Sequence, residues 1–298
     1  MKENRSLSRP NQLGHQKSIV ALALTDYMSQ KRQSGQEIVA KTELDEHFVR
    51  IAANQIRLFI FAGNDSTASS IVYTFHCLFN HPNVLNKLRQ EHDDVFGTTT
   101  NAADMLKENS ALINKCSYTL AVIKETLRLY PPASSLRRGS ENVSINDLNG
   151  KAYPTKNLGA TIMHHFVHTN PRFWPRPKGF LPERWTVDPD HELYPNMSTG
   201  AYRPFEHGPR NCIGQTLVYN EMRIALILTA RKFDVAPAYE EWDALQLSQE
   251  DVLKKLARHV GLVGNPVKTV AGERAYQTIK AGAHPADGYP CLVTLAKH

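Results

Sequence analysis

Apolar residues recur at spacings of three and four along residues 43–80, which is the period of one face of a helix. They include Phe48, Ile51, Phe59, Ile71, Phe75 and Leu78. The predicted helix should end at His81-Pro82, because the residue before a proline avoids helical backbone angles. Its centre, residues 63–67, is polar and contains a glycine, so we expect a kink-prone place there.

Shorter patterns predict the rest of the secondary structure. Further helices are predicted over residues 17–32, 82–96, 115–130 and 212–232, and β-like runs over residues 143–145 and 161–163. Residues 170–212 are rich in Pro, Trp, Arg and Phe without periodicity, which is typical of a long functional loop. These patterns predict a mainly α fold with small β-sheets, and we expect residues 1–298 to form a single domain portion.

Composition narrows the classes of function. Of the 298 residues 41% are apolar, and the net charge is +6. The basic residues are spread along the chain without aromatic interleaving, so we expect no nucleic-acid partner. A solvated basic surface is the default interpretation, and a patch that docks an acidic redox partner is the alternative. The most apolar stretch, residues 56–62, is too short to span a bilayer, so we expect no membrane anchor in this chain.

One of the four cysteines, Cys212, stands at the end of a loop rich in Gly and Pro and at the start of a predicted helix. Gly208 and Gly214 let the backbone approach a flat cofactor closely. A helix N-terminus near the sulfur favours its thiolate form, and Arg210 is suited to binding a carboxylate. The alternative is a buried structural cysteine that caps the helix. No C-x-x-C pair exists, which argues against a zinc ribbon.

At every fixed position, residues 205–214 resemble the haem-binding loop of the cytochrome P450 family, F-x-x-G-x-R-x-C-x-G. The resemblance implies haem b (iron protoporphyrin IX) as the cofactor and Cys212 as the axial ligand of its iron, where a thiolate favours O–O cleavage. It assigns further contacts with the cofactor to Phe205, Gly208, Arg210, Gly214 and Arg137. Arg137 is chosen over Arg138 as the residue that meets a haem propionate.

A second motif, Glu125-Thr126-Leu127-Arg128, places a carboxylate and a guanidinium three residues apart on one face of a predicted helix. Taken alone, such a pair indicates a surface ion pair of small worth. It resembles the family's E-x-x-R, which is buried and joined by the arginine of P-E-R-[FW], here Arg184. The resemblance therefore implies a structural role for Glu125, Arg128 and Arg184 behind the haem loop.

A third motif, Ala62-Gly63-Asn64-Asp65-Ser66-Thr67, lies at the centre of the long helix. It resembles the family's A-G-x-[DE]-T-[TS], with Ser66 at the usual threonine position. The resemblance implies that Asp65, Ser66 and Thr67 are catalytic and deliver protons on the distal side of the haem. Serine keeps the hydroxyl but has a freer rotamer than threonine. Without the resemblance, this segment indicates a local bend or a solvent-facing turn.

Three histidines, His164, His165 and His168, suggest a metal site. His164 and His168 would share a helix face, but we predict strand and loop for this segment. Residues 168–174 resemble the family's H-x-[DN]-P segment, which favours a structural role.

The resemblance covers most of the chain but only the later part of a family member, and no W-x-x-x-R is found. It implies a P450 fold lacking its N-terminal part. The implied activity is a haem–thiolate monooxygenase that inserts one oxygen atom from O₂ into a small apolar molecule in secondary metabolism. NADPH–cytochrome P450 reductase would donate the electrons, at the surface of the endoplasmic reticulum. The alternatives are a truncated non-catalytic remnant and a P450-type isomerase or dehydratase.

Overall fold

The computed structural model describes residues 19–33, 44–98, 101–195, 200–260, 262, 268–280 and 282–296. It comprises two compact units, Met1–Asn64 and Asp65–His298. Within the described ranges the helices are α1 (Ile19–Gln33), α2 (Glu46–Asn80), α3 (Pro82–Phe96), α4 (Ala102–Glu108), α5 (Ser117–Leu129), α6 (His164–His168), α7 (Gln215–Thr229), α8 (Tyr239–Gln249) and α9 (Val252–His259). None of them is both long and apolar enough to cross a bilayer.

The strands of the described ranges form four antiparallel pairs. They are β1 (Ser135–Arg138) with β4 (Gly159–Ile162), β2 (Ser144–Asn146) with β3 (Ala152–Pro154), β5 (Phe233–Pro237) with β8 (Cys291–Leu295), and β6 (Gln277–Lys280) with β7 (Gly282–Pro285). The prediction of a mainly helical fold with small β-sheets is thus confirmed.

In the first unit, α1 is joined to the residue that precedes α2. The Tyr27 hydroxyl lies 2.8 Å from Asp45 Oδ2, and the Tyr27 and Phe48 rings lie 4.2 Å apart. Asp45 Oδ1 also accepts the backbone N–H of Phe48 at 2.8 Å. An aspartate in this position satisfies an N–H group that a helix start otherwise leaves without a partner, so Asp45 fixes where α2 begins.

The long helix predicted over residues 43–80 is present as α2, but its polar centre does not interrupt it. Hydroxyl groups along this segment donate hydrogen bonds to carbonyl oxygens one turn earlier in the same helix. Ser70 Oγ donates to the Ser66 carbonyl and Thr74 Oγ1 to the Ser70 carbonyl, both at 2.8 Å. These side chains therefore use oxygens of the helix itself and offer no competing backbone conformation.

The core of the second unit is centred on α5. This helix is buried on most of its sides, and its apolar residues pack against α2, α3 and α7. The buried residues include Leu78 from α2, Leu88 from α3, Val122, Ile123 and Leu127 from α5, and Met222 and Leu226 from α7. A helix held by neighbours on several sides is a rigid support for functional side chains at its end.

The prediction of strand and loop for residues 164–168 is wrong, because these residues form α6. Each histidine ring uses Nδ1 to contact a carbonyl oxygen at or beyond the C-terminal end of α5. His164 lies 3.0 Å from the Ala133 oxygen, His165 3.1 Å from Leu129 and His168 3.0 Å from Arg128. The last carbonyl groups of a helix such as α5 have no partners within that helix. The three histidines supply such partners from α6, and these tertiary contacts favour the helical conformation of residues 164–168.

Candidate functional site

The E-x-x-R helix supplies a buried cluster of opposite charges. Arg128 donates to both oxygens of Glu125, at 2.8 and 2.9 Å, and Arg184 donates to Glu125 Oε1 at 3.0 Å. The Trp185 indole N–H and the Leu181 backbone N–H, each at 3.0 Å, complete the partners of this carboxylate. Glu125, Arg128 and Arg184 are fully buried. We call these three side chains the buried triad.

The buried triad contains two positive charges and one negative charge. Backbone carbonyl oxygens accept hydrogen bonds from both guanidinium groups and so compensate for the extra positive charge. The acceptors are the carbonyl oxygens of His168, Pro177 and Gly179 for Arg128, and of Pro175, Arg176 and Leu193 for Arg184. Both guanidinium groups also lie over the ring of Trp174, at 5.2 and 5.8 Å from its centroid. Most of these oxygens belong to residues 170–212, the segment predicted to be a long functional loop. The buried triad therefore holds this loop in one conformation.

His168 joins the buried triad to the segment that enters the cysteine loop. Its Nδ1 donates to the Arg128 carbonyl at 3.0 Å, and its Nε2 accepts the backbone N–H of Arg203 at 3.0 Å. Burial lowers the pKa of His168 to about 3, so the ring is neutral and keeps one donor and one acceptor. Since both ring nitrogens are used, His168 has a structural role and offers no free metal ligand.

The loop of residues 205–214 is closed by backbone hydrogen bonds. Cys212 N–H donates to the Phe205 carbonyl at 2.8 Å, and Phe205 packs edge-on against Tyr219 of α7, with ring centroids 5.1 Å apart. Gly208 has φ +79°, a conformation that residues with a side chain rarely adopt. The helix after the loop begins later than predicted: Gly214 is the N-cap of α7, and Cys212 lies two residues before it.

Cys212 differs from the other cysteines of the chain. Its side chain is exposed at the end of the loop, whereas Cys77 and Cys116 are buried. Burial raises the pKa of both buried thiols, that of Cys116 to about 12, so neither is suited to act as a thiolate. Cys291 is exposed as well, but it lies in β8 opposite Pro237 and far along the chain from the loop.

Glu206, a variable position of the loop motif, organises the charges around it. It accepts hydrogen bonds from Arg203 at 2.6 and 2.9 Å, and Arg137 of β1 lies 3.3 Å from its second oxygen. His164 Nε2 lies 3.7 Å from the same oxygen. The predicted propionate ligand Arg137 therefore has a carboxylate partner within the protein, while it remains partly exposed. Its contact with a propionate stays a prediction, as does that of the exposed Arg210.

Asp65, Ser66 and Thr67 lie on α2 and face different surroundings. Asp65 Oδ1 lies 3.0 Å from His284 Nε2 of β7. The Ser66 carbonyl accepts the Ser70 hydroxyl, and the Ser66 side chain is half-buried. Thr67 is buried, and its Oγ1 has no hydrogen-bond partner among the described residues. A buried hydroxyl without a partner is costly, which marks this place as one where a ligand or water would be bound.

One group of three potential metal ligands, Glu91, His92 and Cys116, occurs in the described part of the chain. Both oxygens of Glu91 are already occupied by the N-terminal end of α5. They accept the backbone N–H groups of Tyr118 and Thr119 at 2.6 and 2.8 Å. The Cys116 thiol is held protonated by burial. This group therefore caps a helix and is no candidate metal centre.

The comparisons with known proteins agree with this geometry. The sequence profile of the family named Cytochrome P450 matches residues 8–258, and the chain belongs to that family. The chain is 41% identical over 286 residues to cytochrome P450 monooxygenase polC of Polytolypa hystricis, covering 96% of this chain and 48% of that protein. It is 32% identical over 262 residues to cytochrome P450 monooxygenase acrF of Aspergillus aculeatus, covering 83% of this chain and 51% of that protein. The chain spans about half the length of these curated relatives.

The cofactor of this family is haem, and the side chains around Cys212 have the chemistry that haem requires. Cys212 offers an exposed thiol as an iron ligand. Beside it, Ile213 is 83% and Leu217 61% exposed, and such apolar side chains next to a ligand suit a flat apolar macrocycle. The guanidinium groups of Arg137 and Arg210 suit its carboxylates. The donor set therefore fits the group.

Two functional candidates escaped the sequence motifs: Glu206 and His284. Glu206 occupies a position at which the loop motif specifies nothing, and its role depends on Arg203, Arg137 and His164 coming together in space. His284 lies more than 200 residues after its partner Asp65. Neither contact leaves a local pattern in the sequence.

Replacing Glu125 with Gln should strongly destabilise the second unit. The change leaves two guanidinium groups buried without a counter-charge, which costs about 3–5 kcal/mol when a buried ion pair loses one partner. Glu192→Gln, which removes the exposed partner of Arg176, is the matched control and should cost less than about 1 kcal/mol. Urea unfolding followed by circular dichroism measures both. Equal effects of the two variants would contradict the role of the buried triad.

Glu206 should make stability depend on pH in the acid range. Burial opposes its charge, but hydrogen bonds from Ser135 and Arg203 outweigh burial and lower its pKa from 4.5 to about 2. The stabilisation is thus complete above pH 4.5 and is lost as the pH falls from 4.5 towards 2. Urea midpoints measured between pH 5.5 and about 3 should fall less steeply in Glu206→Gln than in the wild type. Identical slopes would refute the assignment, and Glu192→Gln should leave the slope unchanged.

Proposed function

We propose that this protein is a haem–thiolate monooxygenase with Cys212 as the axial ligand of haem b. The observation that carries the proposal is the exposed Cys212 thiol at the end of a loop that is closed onto Phe205 and connected through His168 to the buried triad. A ligand held on a rigid support keeps its position during turnover. When bound, haem supplies the redox chemistry that activates O₂.

The residues around the cofactor have separate tasks in this proposal. Cys212 provides the iron ligand, and Phe205, Gly208 and Gly214 shape the loop that carries it. Arg137 and Arg210 bind propionates. On α2, Asp65 supplies protons, and the hydroxyl groups of Ser66 and Thr67 orient the water or ligand that receives them. The Oγ1 of Thr67 supports this task, since no described residue of the protein uses its hydrogen-bonding capacity.

A recess of 280 Å³ supports a small, largely apolar substrate. It lies between the segment after α5, the start of α6 and the β6–β7 hairpin, and its lining includes Pro132, Ala133, Met163, Ile279 and Ala283. This volume is near the lower end of the range of small-molecule sites, about 300–1,000 Å³. The proposed reaction inserts one oxygen atom from O₂ into such a substrate.

The electron donor and the pathway belong to the same proposal. We propose NADPH–cytochrome P450 reductase as the donor, at the surface of the endoplasmic reticulum, because the chain is a member of the P450 family. Secondary-metabolite biosynthesis is supported by the fungal cytochrome P450 monooxygenases among the relatives.

Replacing Cys212 with Ala should abolish the thiolate-type Soret band of the reduced, CO-bound protein, because the iron loses its sulfur ligand. Cys291→Ala is the control, since Cys291 is equally exposed but lies outside the loop. The absorbance spectrum after expression with haem supply measures both variants. A thiolate-type band that persists in Cys212→Ala would refute the ligand, and no haem uptake by the wild type would refute the proposed function.

Replacing Asp65 with Asn should lower the rate of product formation by about 100-fold, the scale at which a positioned acid contributes to a proton transfer. Asp190→Asn, at an exposed position outside the site, should retain the wild-type rate. The assay supplies NADPH, the reductase and ¹⁸O₂, and measures labelled product per NADPH consumed. A wild-type rate in Asp65→Asn would contradict the assignment of Asp65. A product that contains no ¹⁸O would contradict oxygen insertion and would favour the alternative of an isomerase or dehydratase.

A further inference from the structure

Asp65 has a partner from a distant part of the chain. His284 Nε2 of β7 lies 3.0 Å from Asp65 Oδ1, and the two side chains are 27% and 34% exposed. An exposed pair of this kind contributes little to stability, so its presence is not explained by the energetics of folding. It does restrict the orientation of the carboxylate, because an imidazole nitrogen 3.0 Å from Oδ1 favours one rotation about the terminal bond of the side chain.

The hairpin of β6 and β7 is itself tied to the surrounding structure, so His284 has a defined position. The Ser69 hydroxyl of α2 donates to the Ala283 carbonyl, and the Ala283 N–H donates to the Pro132 carbonyl at 2.8 Å. Within the hairpin, the Thr278 hydroxyl donates to the His284 carbonyl at 3.2 Å. These contacts hold the backbone on both sides of the imidazole.

Gly282 defines the position of the second oxygen of Asp65. A Cβ atom at residue 282 would lie 2.5 Å from Asp65 Oδ2 and 3.5 Å from His284 Nε2. A contact of 2.5 Å is impossible without movement, so only glycine leaves room for the carboxylate in its present position. The hairpin thus places a polar side chain, His284, beside Oδ1 of Asp65, and a residue without a side chain, Gly282, beside Oδ2.

We propose that His284 is a positioning residue for the proton-delivering Asp65, and that Gly282 leaves the space this orientation needs. The inference rests on the proposed function. With Oδ1 bound to the imidazole, Oδ2 remains the oxygen that carries and releases the proton. A carboxylate held in one orientation transfers its proton from a fixed place, whereas a freely rotating one is correctly placed only part of the time.

The same hairpin contributes Ile279, Gly282 and Ala283 to the lining of the 280 Å³ recess. A molecule bound in this recess would therefore touch the residues next to Asp65 and His284. This arrangement makes the orientation of Asp65 sensitive to what occupies the recess, and it links substrate binding to proton delivery.

The test compares His284→Leu, which removes the donor, with His284→Gln, whose amide can donate to the same oxygen. In the haem-loaded protein with NADPH and reductase, His284→Leu should lower the product formed per NADPH by about tenfold. A misplacement of about 1 Å can cost about 100-fold, and the loss should be smaller here because the carboxylate is still present and is correctly placed part of the time. The missing product should appear as hydrogen peroxide, formed from O₂, two electrons and two protons. His284→Gln should stay within about twofold of the wild type.

Two further variants separate positioning from simple anchoring of the hairpin. Ser69→Ala removes one tie between α2 and the hairpin, but the backbone hydrogen bond from Ala283 to Pro132 still holds the hairpin and leaves the Asp65–His284 contact in place. This variant should therefore retain wild-type coupling of NADPH to product. Gly282→Ala keeps His284 but pushes on Asp65 Oδ2, and it should reproduce the loss seen in His284→Leu. It also serves as the test if His284→Leu fails to fold.

A spectroscopic readout does not depend on turnover. In the ferrous CO complex labelled with ¹⁵N-histidine, the ring signals of His284 are those missing in His284→Gln. They should shift in Asp65→Asn and stay in place in Ser69→Ala. Absence of a shift in Asp65→Asn would overturn the contact. Wild-type coupling in His284→Leu, or an equal loss in Ser69→Ala, would overturn the positioning role alone. A wild-type protein without a thiolate-type Soret band would overturn the proposed function and this role with it.

Discussion

The second unit depends on a single buried carboxylate that two guanidinium groups share. Glu125 is fully buried, so its charge is tolerable only because Arg128, Arg184, Trp185 and the Leu181 backbone all donate to it. The two arginines bring one positive charge in excess, and inward-facing carbonyl groups compensate for it. This requirement explains why the chain from residue 175 to 179 is neither helix nor strand: regular secondary structure would use those oxygens elsewhere.

The position of Cys212 follows from this cluster through a short series of contacts. The Arg128 carbonyl is held by His168, and His168 in turn accepts the N–H of Arg203 at the entrance of the cysteine loop. Every member of the series is a hydrogen bond with both partners defined, and the ring of His168 is neutral because it is buried. The end of α5 therefore determines the position of the thiol indirectly. Among the described residues, no hydrogen bond joins α5 to Cys212 itself.

The sequence was most informative where a function is encoded by neighbouring residues. The loop around Cys212 indicates its chemistry because the whole motif lies within ten residues, whereas the Glu125–Arg128 spacing alone indicates only an ion pair, and the family resemblance was needed to predict its burial. Arg184 became visible only through the family resemblance, as the ion pair joins residues 59 positions apart. The helix α6 was missed for a related reason: its three histidines are helical because of carbonyls 31 to 40 positions away, which no local period reports. The same holds for Glu206 and His284, whose partners are set by the tertiary fold.

Burial separates the residues that support the site from those that we propose to perform chemistry in it. The side chains of Glu125, Arg128, Arg184 and His168 are fully buried, and each makes several hydrogen bonds to the surrounding protein. Cys212, Arg210 and Asp65 retain exposed surface, as the roles proposed for them require, because a residue that meets a cofactor, a proton or a substrate cannot be enclosed by protein. Asp65 lies between these two classes. It is partly exposed, yet His284 lies 3.0 Å from its Oδ1 and Gly282 leaves the space that its Oδ2 needs, so its orientation is limited without its being buried. A proton donor needs this combination, since solvent must reach it while its orientation stays fixed.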